Sequence, residues 1–335
     1  MPALDLSPCL QVNVKMQRVA LIDNRASGQH SGRRTKRIQE ALAVFHAAGV
    51  AAELFQPTRP GGATVLARQA ILHGFDTILA CGGDGTVHEI LQGMVGTEAA
   101  LGVIPFGTAN ALAADLGLIA SPAKVASRLL QAEEVRVPVG RIHYRDSNGS
   151  QRSRFFLVAA GIGADALLMT RLDARLKRKL GYLLYLVEAF RIWATNPFPL
   201  FEVVFNHLDG TSSRPVSRPT EISQLLAVRV RSFGGVLQEL APGASLRGDS
   251  LRVLAFRTRS RLRFLKFTLA VLFRRHTFDG TIELQETASV ECRPRNGSRK
   301  RIFVEADGEV LGSLPVRIEV VQDALTLLIP RNARP

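Results

Sequence analysis

The segment that most narrows what this chain can fold into is Gly82-Gly83-Asp84-Gly85-Thr86. It follows a short apolar run, Phe75 to Cys81, that reads as a buried strand. It precedes Val87, Ile90, Leu91 and Met94, which recur at helical spacing. Thr86 with Glu89 three residues later is a capping-box pattern, which predicts a helix starting at Thr86. Strand, glycine turn and helix N-terminus together present backbone N–H groups and a positive dipole end to a phosphate. A carboxylate beside a phosphate is repelled unless a cation lies between them, so Asp84 points to a nucleotide bound with a divalent metal. The glycines around it leave room for close backbone approach.

A second loop repeats the logic. Leu101 to Ile104 reads as a buried strand and runs into Pro105-Phe106-Gly107-Thr108-Ala109-Asn110. Ala109, Leu112, Ala113 and Leu116 then share a helical face, and Gly117 is placed to end that helix. Thr108 is expected to cap it and to donate to a nucleotide. Two neighbouring strands thus deliver loops to one sheet edge, where ligands of open α/β sheets bind.

The pair GGDGT and PFGTAN resembles the catalytic domain of the diacylglycerol kinase family, in particular the bacterial soluble lipid kinases. NAD kinases carry a loop like GGDGT; PxGTxN at this distance favours lipid kinases. Matching features run from about Ala20 to Val320. The expected fold is an α/β N-terminal domain with a parallel sheet, NAD kinase/diacylglycerol kinase-like, over 17–135. A β-rich sandwich domain is expected over 136–321. The resemblance implies that a last strand, Leu325 to Ile329, returns to the first domain, so that 322–335 would complete it.

The pattern along the chain agrees. Arg18 to Asp23 (RVALID) reads as the first strand, followed by a helix from about Arg34 to Ala48 that Gly49 ends. Val50 to Gln56 is strand-like and Thr64 to His73 helical, a βαβ alternation that predicts a parallel sheet. Beyond Arg136 short strands dominate, separated by Asp209-Gly210, Asp279-Gly280 and Asn296-Gly297 turn signals. Two basic helical stretches, at about 166–194 and 259–275, interrupt them.

Composition sets the class. Cys9, Cys81 and Cys292 are too sparse for a disulfide framework or a CxxC metal site, which favours a reducing, cytoplasmic compartment. The N-terminus shows no signal-peptide pattern, and no apolar stretch is long enough to span a bilayer, so a soluble protein is expected. The net charge of +14 calls for an acidic partner. Basic residues alternate with Leu and Phe, and few aromatics exist to stack on bases. An anionic membrane surface at the inner face is therefore favoured and nucleic acid is not. Arg171, Arg175, Lys177, Arg178 and Lys179 precede Leu180, Leu183, Leu184 and Val187; Arg261, Arg263 and Lys266 flank Leu262, Leu265, Leu269 and Leu272, with Arg274 and Arg275 beyond. The plainer reading of each stretch is a helix packed on its own domain with a solvated basic face.

Family resemblance adds roles residue by residue. Asn24, Ser27 and Gly28 echo an NPxSG loop, with Arg25 at the proline position. Thr58 stands near where relatives place a nucleotide-contacting threonine. Gly82, Gly83, Asp84, Gly85, Thr86, Glu89, Gly107, Thr108 and Asn110 are implied to hold ATP. His88, placed with them at the nucleotide, replaces a usual Asn, and its plain reading is a solvent-facing residue of the first helical turn. Ala111 and Val158 stand where relatives carry Asp and Asn. Gly161-Ile162-Gly163-Ala164-Asp165 reads as a strand-to-helix turn. Leu246, Asp249 and Leu251 match a segment that holds a structural Mg²⁺, with Ser250 in place of Gly. Asp307-Gly308-Glu309 is a hairpin signal by itself; the resemblance makes Asp307 or Glu309 the catalytic base. The function implied is ATP- and Mg²⁺-dependent phosphorylation of a hydroxyl on diacylglycerol or a related membrane lipid. An NAD kinase and a non-catalytic module that docks on anionic membranes are the alternatives, and a homodimer is left open.

Overall fold

The computed structural model describes residues 16–24, 32–146, 148–171, 182–206, 219–233, 239–273, 280–298, 300–331 and 333. Its first half alternates strand and helix: β1 (Arg18–Asp23), α1 (Gly32–Ala47), β2 (Ala51–Phe55), α2 (Gly62–Leu72), β3 (Thr77–Gly82), α3 (Asp84–Met94), β4 (Ala100–Pro105), α4 (Ala111–Asp115) and α5 (Pro122–Leu129). The four strands are parallel in the order β4-β3-β1-β2. All six residues of β3 are buried, as a parallel strand covered on both faces requires. Ile38, Ala41, Leu42 and Phe45 of α1 are buried at the spacing of one helical face. Gly49, at φ +77°, follows that helix in the left-handed conformation.

The second half is a β-rich lobe: β5 (Glu133–Arg145), β6 (Gln151–Phe156), β7 (Ala159–Ile162), α6 (Ala164–Arg171), α7 (Tyr182–Thr195), β8 (Phe201–Asn206), β9 (Thr220–Ile222), β10 (Gln224–Val228), β11 (Leu251–Phe256), α8 (Arg261–Leu272), β12 (Ile282–Thr287), β13 (Ser289–Pro294), β14 (Phe303–Ala306) and β15 (Glu309–Ile329). One layer runs β12-β11-β10-β7-β14 and takes in the start of β15. The other runs β6-β5-β15-β13-β8-β9. Between them lies a core that includes Phe156, Ile162, Phe201, Leu225, Val253, Val290, Val304 and Ile318. Alternation along β10 sends Leu225 and Ala227 into this core, while Leu226 and Val228 face the core continuous with the first lobe.

The last strand ties the halves together. β15 pairs with β14 at Glu309–Ser313, with β13 at Val316–Glu319, and finally in parallel with β4 at Thr326 and Leu327. The return of Leu325 to Ile329 to the first sheet is therefore present. β5 accompanies β15 antiparallel from Arg145 to Glu133, with a register shift between Val321 and Leu325. The lobes are thus joined by two hydrogen-bonded strands rather than by a flexible linker. Cys81 and Cys292 are free and buried, one in each lobe. No helix among the described residues is long and apolar enough to cross a membrane.

Candidate active site

The two glycine loops meet backbone to backbone at the C-terminal edge of β3 and β4. A Cβ on Gly107 would lie 2.6 Å from Gly83 Cα and one on Gly83 3.2 Å from Gly107 Cα, so Gly107 has no room for a side chain and Gly83 little. Phe106 N–H donates to Gly82 C=O at 2.8 Å, locking the second loop to the first. A Cβ on Gly82 would fall 2.2 Å from Thr86 Oγ1, whereas one on Gly85 would meet nothing within 4 Å. Gly82 and Gly83 are therefore needed for packing, and Gly85 faces the open approach to the first N–H groups of α3.

Two capping expectations are corrected here. Helix α3 starts at Asp84, not Thr86, with Gly83 as an extended N-cap at φ −97° and ψ −171°. The capping box does not close: the Glu89 carboxylate instead accepts Ala63 N–H at 3.3 Å. Thr108 is exposed and does not cap α4, whose N-cap is Asn110 in the left-handed region at φ +51°. Asn110 folds back on its own loop, accepting Gly107 N–H at 2.9 Å and donating to Gly107 C=O at 2.8 Å. The first N–H of α4, on Ala111, is received by Asp84 Oδ1 at 2.7 Å. Asp84 thus fastens the two loops to each other.

A buried cation that sequence reasoning missed organises the same edge. Arg34 on α1 donates to Asp23 Oδ1 at 2.6 Å, to Asn24 C=O at 3.4 Å and to Cys81 C=O at 3.2 Å. It lies 4.7 Å from the Phe106 ring centroid. One side chain therefore gathers the ends of β1 and β3 and the loop after β4. Asn24 sits at the end of β1, and Thr58 is exposed just beyond β2, both at this edge of the sheet. Ser27 and Gly28 lie outside the described residues.

Across the cleft the second lobe presents an acidic turn. Asp307 and Gly308, at φ +49° and +84°, form the two-residue link between β14 and β15, the conformation that Asp-Gly favours in hairpins. The Asp307 carboxylate is 3% exposed and accepts three backbone N–H groups: Leu157 at 3.0 Å, Val158 at 2.9 Å and Ala159 at 3.1 Å. Glu309 is 44% exposed. His88 on α3 stands between them, with Nδ1 3.4 Å from Asp307 Oδ2 and Nε2 3.5 Å from Glu309 Oε2. The solvent-facing reading of His88 is therefore corrected: the ring is buried in the interface between helix and turn. Burial opposes its charged form, but the Asp307 hydrogen bond and the charges of Asp307 and Glu309 outweigh it and raise its pKa above the ordinary value. Gln92, one turn further along α3, donates to Phe155 C=O at 2.9 Å and accepts Phe155 N–H at 3.0 Å. These two side chains join α3 to the second lobe.

Beneath the turn, Gly308 N–H donates to Glu305 Oε2 at 2.7 Å. Glu305 is hydrogen-bonded to Asp165 in a buried carboxyl pair. Burial raises the pKa of both, Glu305 the more so because of Asp165's charge. Asp165 also stands at the polar end of an apolar groove of about 260 Å³ lined by Trp193, Leu226, Phe256, Phe264 and Phe267. Helix α8 buries Phe264, Phe267 and Val271 against the lobe and exposes Leu262, Leu265, Leu269 and the following Phe273 beside Arg261, Arg263 and Lys266. Trp193 Nε1 donates to Arg261 C=O at 2.8 Å, tying α7 to α8. Arg175, Lys177, Arg178, Lys179, Leu180, Arg274 and Arg275 lie outside the described residues, as do the side chains of Leu183, Leu184 and Leu272.

The Mg²⁺ set expected at Leu246, Asp249 and Leu251 does not fit a dication. The Leu246 carbonyl accepts a hydrogen bond from the buried guanidinium of Arg229 at 3.0 Å. A Mg²⁺ at its usual distance of about 2.1 Å from that oxygen would lie within about 5 Å of the guanidinium nitrogen. The repulsion there would be several kcal/mol even at an effective dielectric of about 20. Asp249 is exposed, and no group of three or more His, Cys, Asp or Glu among the described residues could hold a metal.

The fold and cleft define a class: two-lobed proteins with an NAD kinase-like α/β lobe and a β-sandwich lobe. Residues 18–142 match the diacylglycerol kinase catalytic domain, and residues 157–329 match the YegS C-terminal NAD kinase beta sandwich-like domain. The chain is 27% identical over 332 residues to the diacylglycerol kinase of Bacillus subtilis, covering 95% of this chain and 98% of that one. It is 30% identical over 272 residues to the diacylglycerol kinase of Mycobacterium tuberculosis, covering 78% and 80%. A crystal structure of a diacylglycerol kinase from Bacillus anthracis superposes with a TM-score of 0.72 at 22% identity, over 95% of this chain and 99% of that one. This chain belongs to the diacylglycerol kinase-like lipid kinase family.

Proposed function

We propose that this protein transfers the γ-phosphoryl group of ATP to a hydroxyl of diacylglycerol or a related membrane lipid. The observation that carries the reading is the meeting of the acidic turn with α3, one turn beyond its N-terminus, through His88. It brings the acidic turn against the helix whose N-terminus offers N–H groups to phosphates. Mg²⁺ bound with the nucleotide would neutralise charge on the phosphate oxygens. The Gly85 face of the first loop and the N-terminus of α3 receive the phosphates. Glu309 is the base, because its carboxylate is exposed beside His88, whereas Asp307 has its oxygens engaged by three backbone N–H groups. His88, whose raised pKa favours the charged form, lies between both carboxylates.

The lipid side follows from the groove. Its apolar walls suit an acyl chain, and its polar end at Asp165 is linked through Glu305 to the turn that carries Glu309. Exposed leucines and cations of α8 suit peripheral contact with an anionic bilayer, where each nearby Lys or Arg contributes roughly 1 kcal/mol. The test is to incubate the protein with labelled ATP, Mg²⁺ and mixed micelles of a lipid panel, with NAD as a separate acceptor, and to identify products by mass spectrometry. A phosphorylated lipid that disappears in Asp84→Ala supports the proposal. Labelled NAD instead, or no labelled acceptor at all, overturns it.

A further inference from the structure

The guanidinium of Arg229 is fully buried at the end of β10 and reaches four backbone carbonyls from two separate segments. Nη2 donates to Pro138 at 3.0 Å, Leu246 at 3.0 Å and Gly248 at 3.1 Å; Nη1 donates to Ser250 at 3.1 Å. Carbonyl oxygens that converge on one point repel one another unless a cation sits at the centre. A guanidinium carries its hydrogens in a fixed planar fork, so it satisfies several oxygens at once. Asp249, exposed in the same loop, adds an attractive charge.

We propose that Arg229 takes over, in this chain, the structural role of a divalent cation, so that the loop from Leu246 to Ser250 is held without metal. The clamp matters to the cleft. Arg229 N–H donates to Val158 C=O at 2.9 Å, and the next peptide edge, Val158 N–H, is held by Asp307 Oδ1 at 2.9 Å. The backbone of the residue that supplies the cation is therefore two hydrogen bonds from the Asp307 carboxylate of the acidic turn. A metal in this place would come and go with the free ion concentration; an arginine side chain is always present and remains charged at neutral pH. Burial lowers its pKa, but only to about 10. The nucleotide's own Mg²⁺ is a separate matter, so this inference stands or falls apart from the proposed reaction.

The test uses the full chain without nucleotide. Thermal unfolding is followed after dialysis against EDTA and again with millimolar Mg²⁺, and retained divalent metal is measured by elemental analysis. The expected result is the same Tm in both and no stoichiometric metal. A Tm that falls in EDTA and returns with Mg²⁺, or one Mg²⁺ per chain that Asp249→Ala removes, overturns the proposal. In Arg229→Ala the Tm is expected to fall by about 5 °C or more. Low millimolar methylguanidinium should recover part of that loss in the variant and none in the wild type. An Arg229→Ala protein as stable as the wild type would also overturn it. Should the variant not fold, the wild-type measurements decide.

Discussion

At the residue scale the site depends on two carboxylates, two positions apart, in opposite environments. Asp307 is buried and receives three backbone N–H groups; Glu309 is exposed and meets only the far nitrogen of His88 among the contacts described above. Asp307→Asn places an amide where three donors converge. It is expected to lose about 2–4 kcal/mol of stability, seen as a lower Tm, with activity falling in consequence. Glu309→Gln should leave the Tm unchanged and lower kcat by about 10²–10⁴-fold in the lipid phosphorylation assay. The sign for His88 follows from its raised pKa. Its ion pairs contribute fully below pH 6.5, its ordinary value, and are lost as pH rises through the higher folded value. The stability deficit of His88→Asn relative to wild type should therefore be largest in mild acid and shrink toward alkaline pH, as thermal melts across that range would show.

At the element scale the two glycine loops act as one device. Their backbones touch at Gly83 and Gly107, and the Asp84 carboxylate receives the first N–H of α4. Gly107→Ala would drive a Cβ to 2.6 Å from Gly83 Cα and part the loops. ATP affinity measured by calorimetry should drop at least about tenfold, while the second lobe, remote from the change, keeps its fold. Helix α8 shows the packing side of the basic stretches. It packs on its own lobe through Phe264 and Phe267, and it also leaves Leu265 and Leu269 exposed among cations. A single helical period places Phe264, Phe267 and Val271 on the packed face and Leu265 and Leu269 on the exposed one.

At the scale of the whole molecule the lobes are coupled by β5 and β15, by the His88 and Gln92 contacts of α3, and by a further polar contact, Ser232 N–H donating to Asp115 of α4 at 2.7 Å. The second Asp115 oxygen is buried without a hydrogen-bond partner. Burial raises its pKa to about 6, against the lowering effects of the Ser232 and Arg231 contacts. An acid with a raised folded pKa costs stability as pH climbs from its unfolded value near 4 to its folded value, about 3 kcal/mol in all here. Asp115→Asn keeps an oxygen for Ser232 and removes the charge. Its Tm should match the wild type near pH 4 and exceed it above pH 6.

The strand RVALID, the helix ended by Gly49 and the two loop motifs were legible because buried parallel strands and glycine turns are local in sequence: a run of apolar residues or a missing Cβ states its own requirement. Thr86 and Thr108 were misread as caps for the same reason. The capping pattern is local, but Gly83 must extend to touch Gly107 and Asp84 must serve α4, requirements set by a second loop more than twenty residues away. Nothing local marks Arg229 as a clamp, and the spacing read His88 as a surface residue. Their partners at Pro138, Leu246 and Asp307 lie from 17 to 219 residues away along the chain. Local chemistry therefore determined the elements, the glycine turns and the family of this protein. Which carboxylate is exposed to the cleft, which cation holds the second lobe and how the lobes clasp were decided only when distant segments converged, because burial and electrostatic partnership belong to the folded chain.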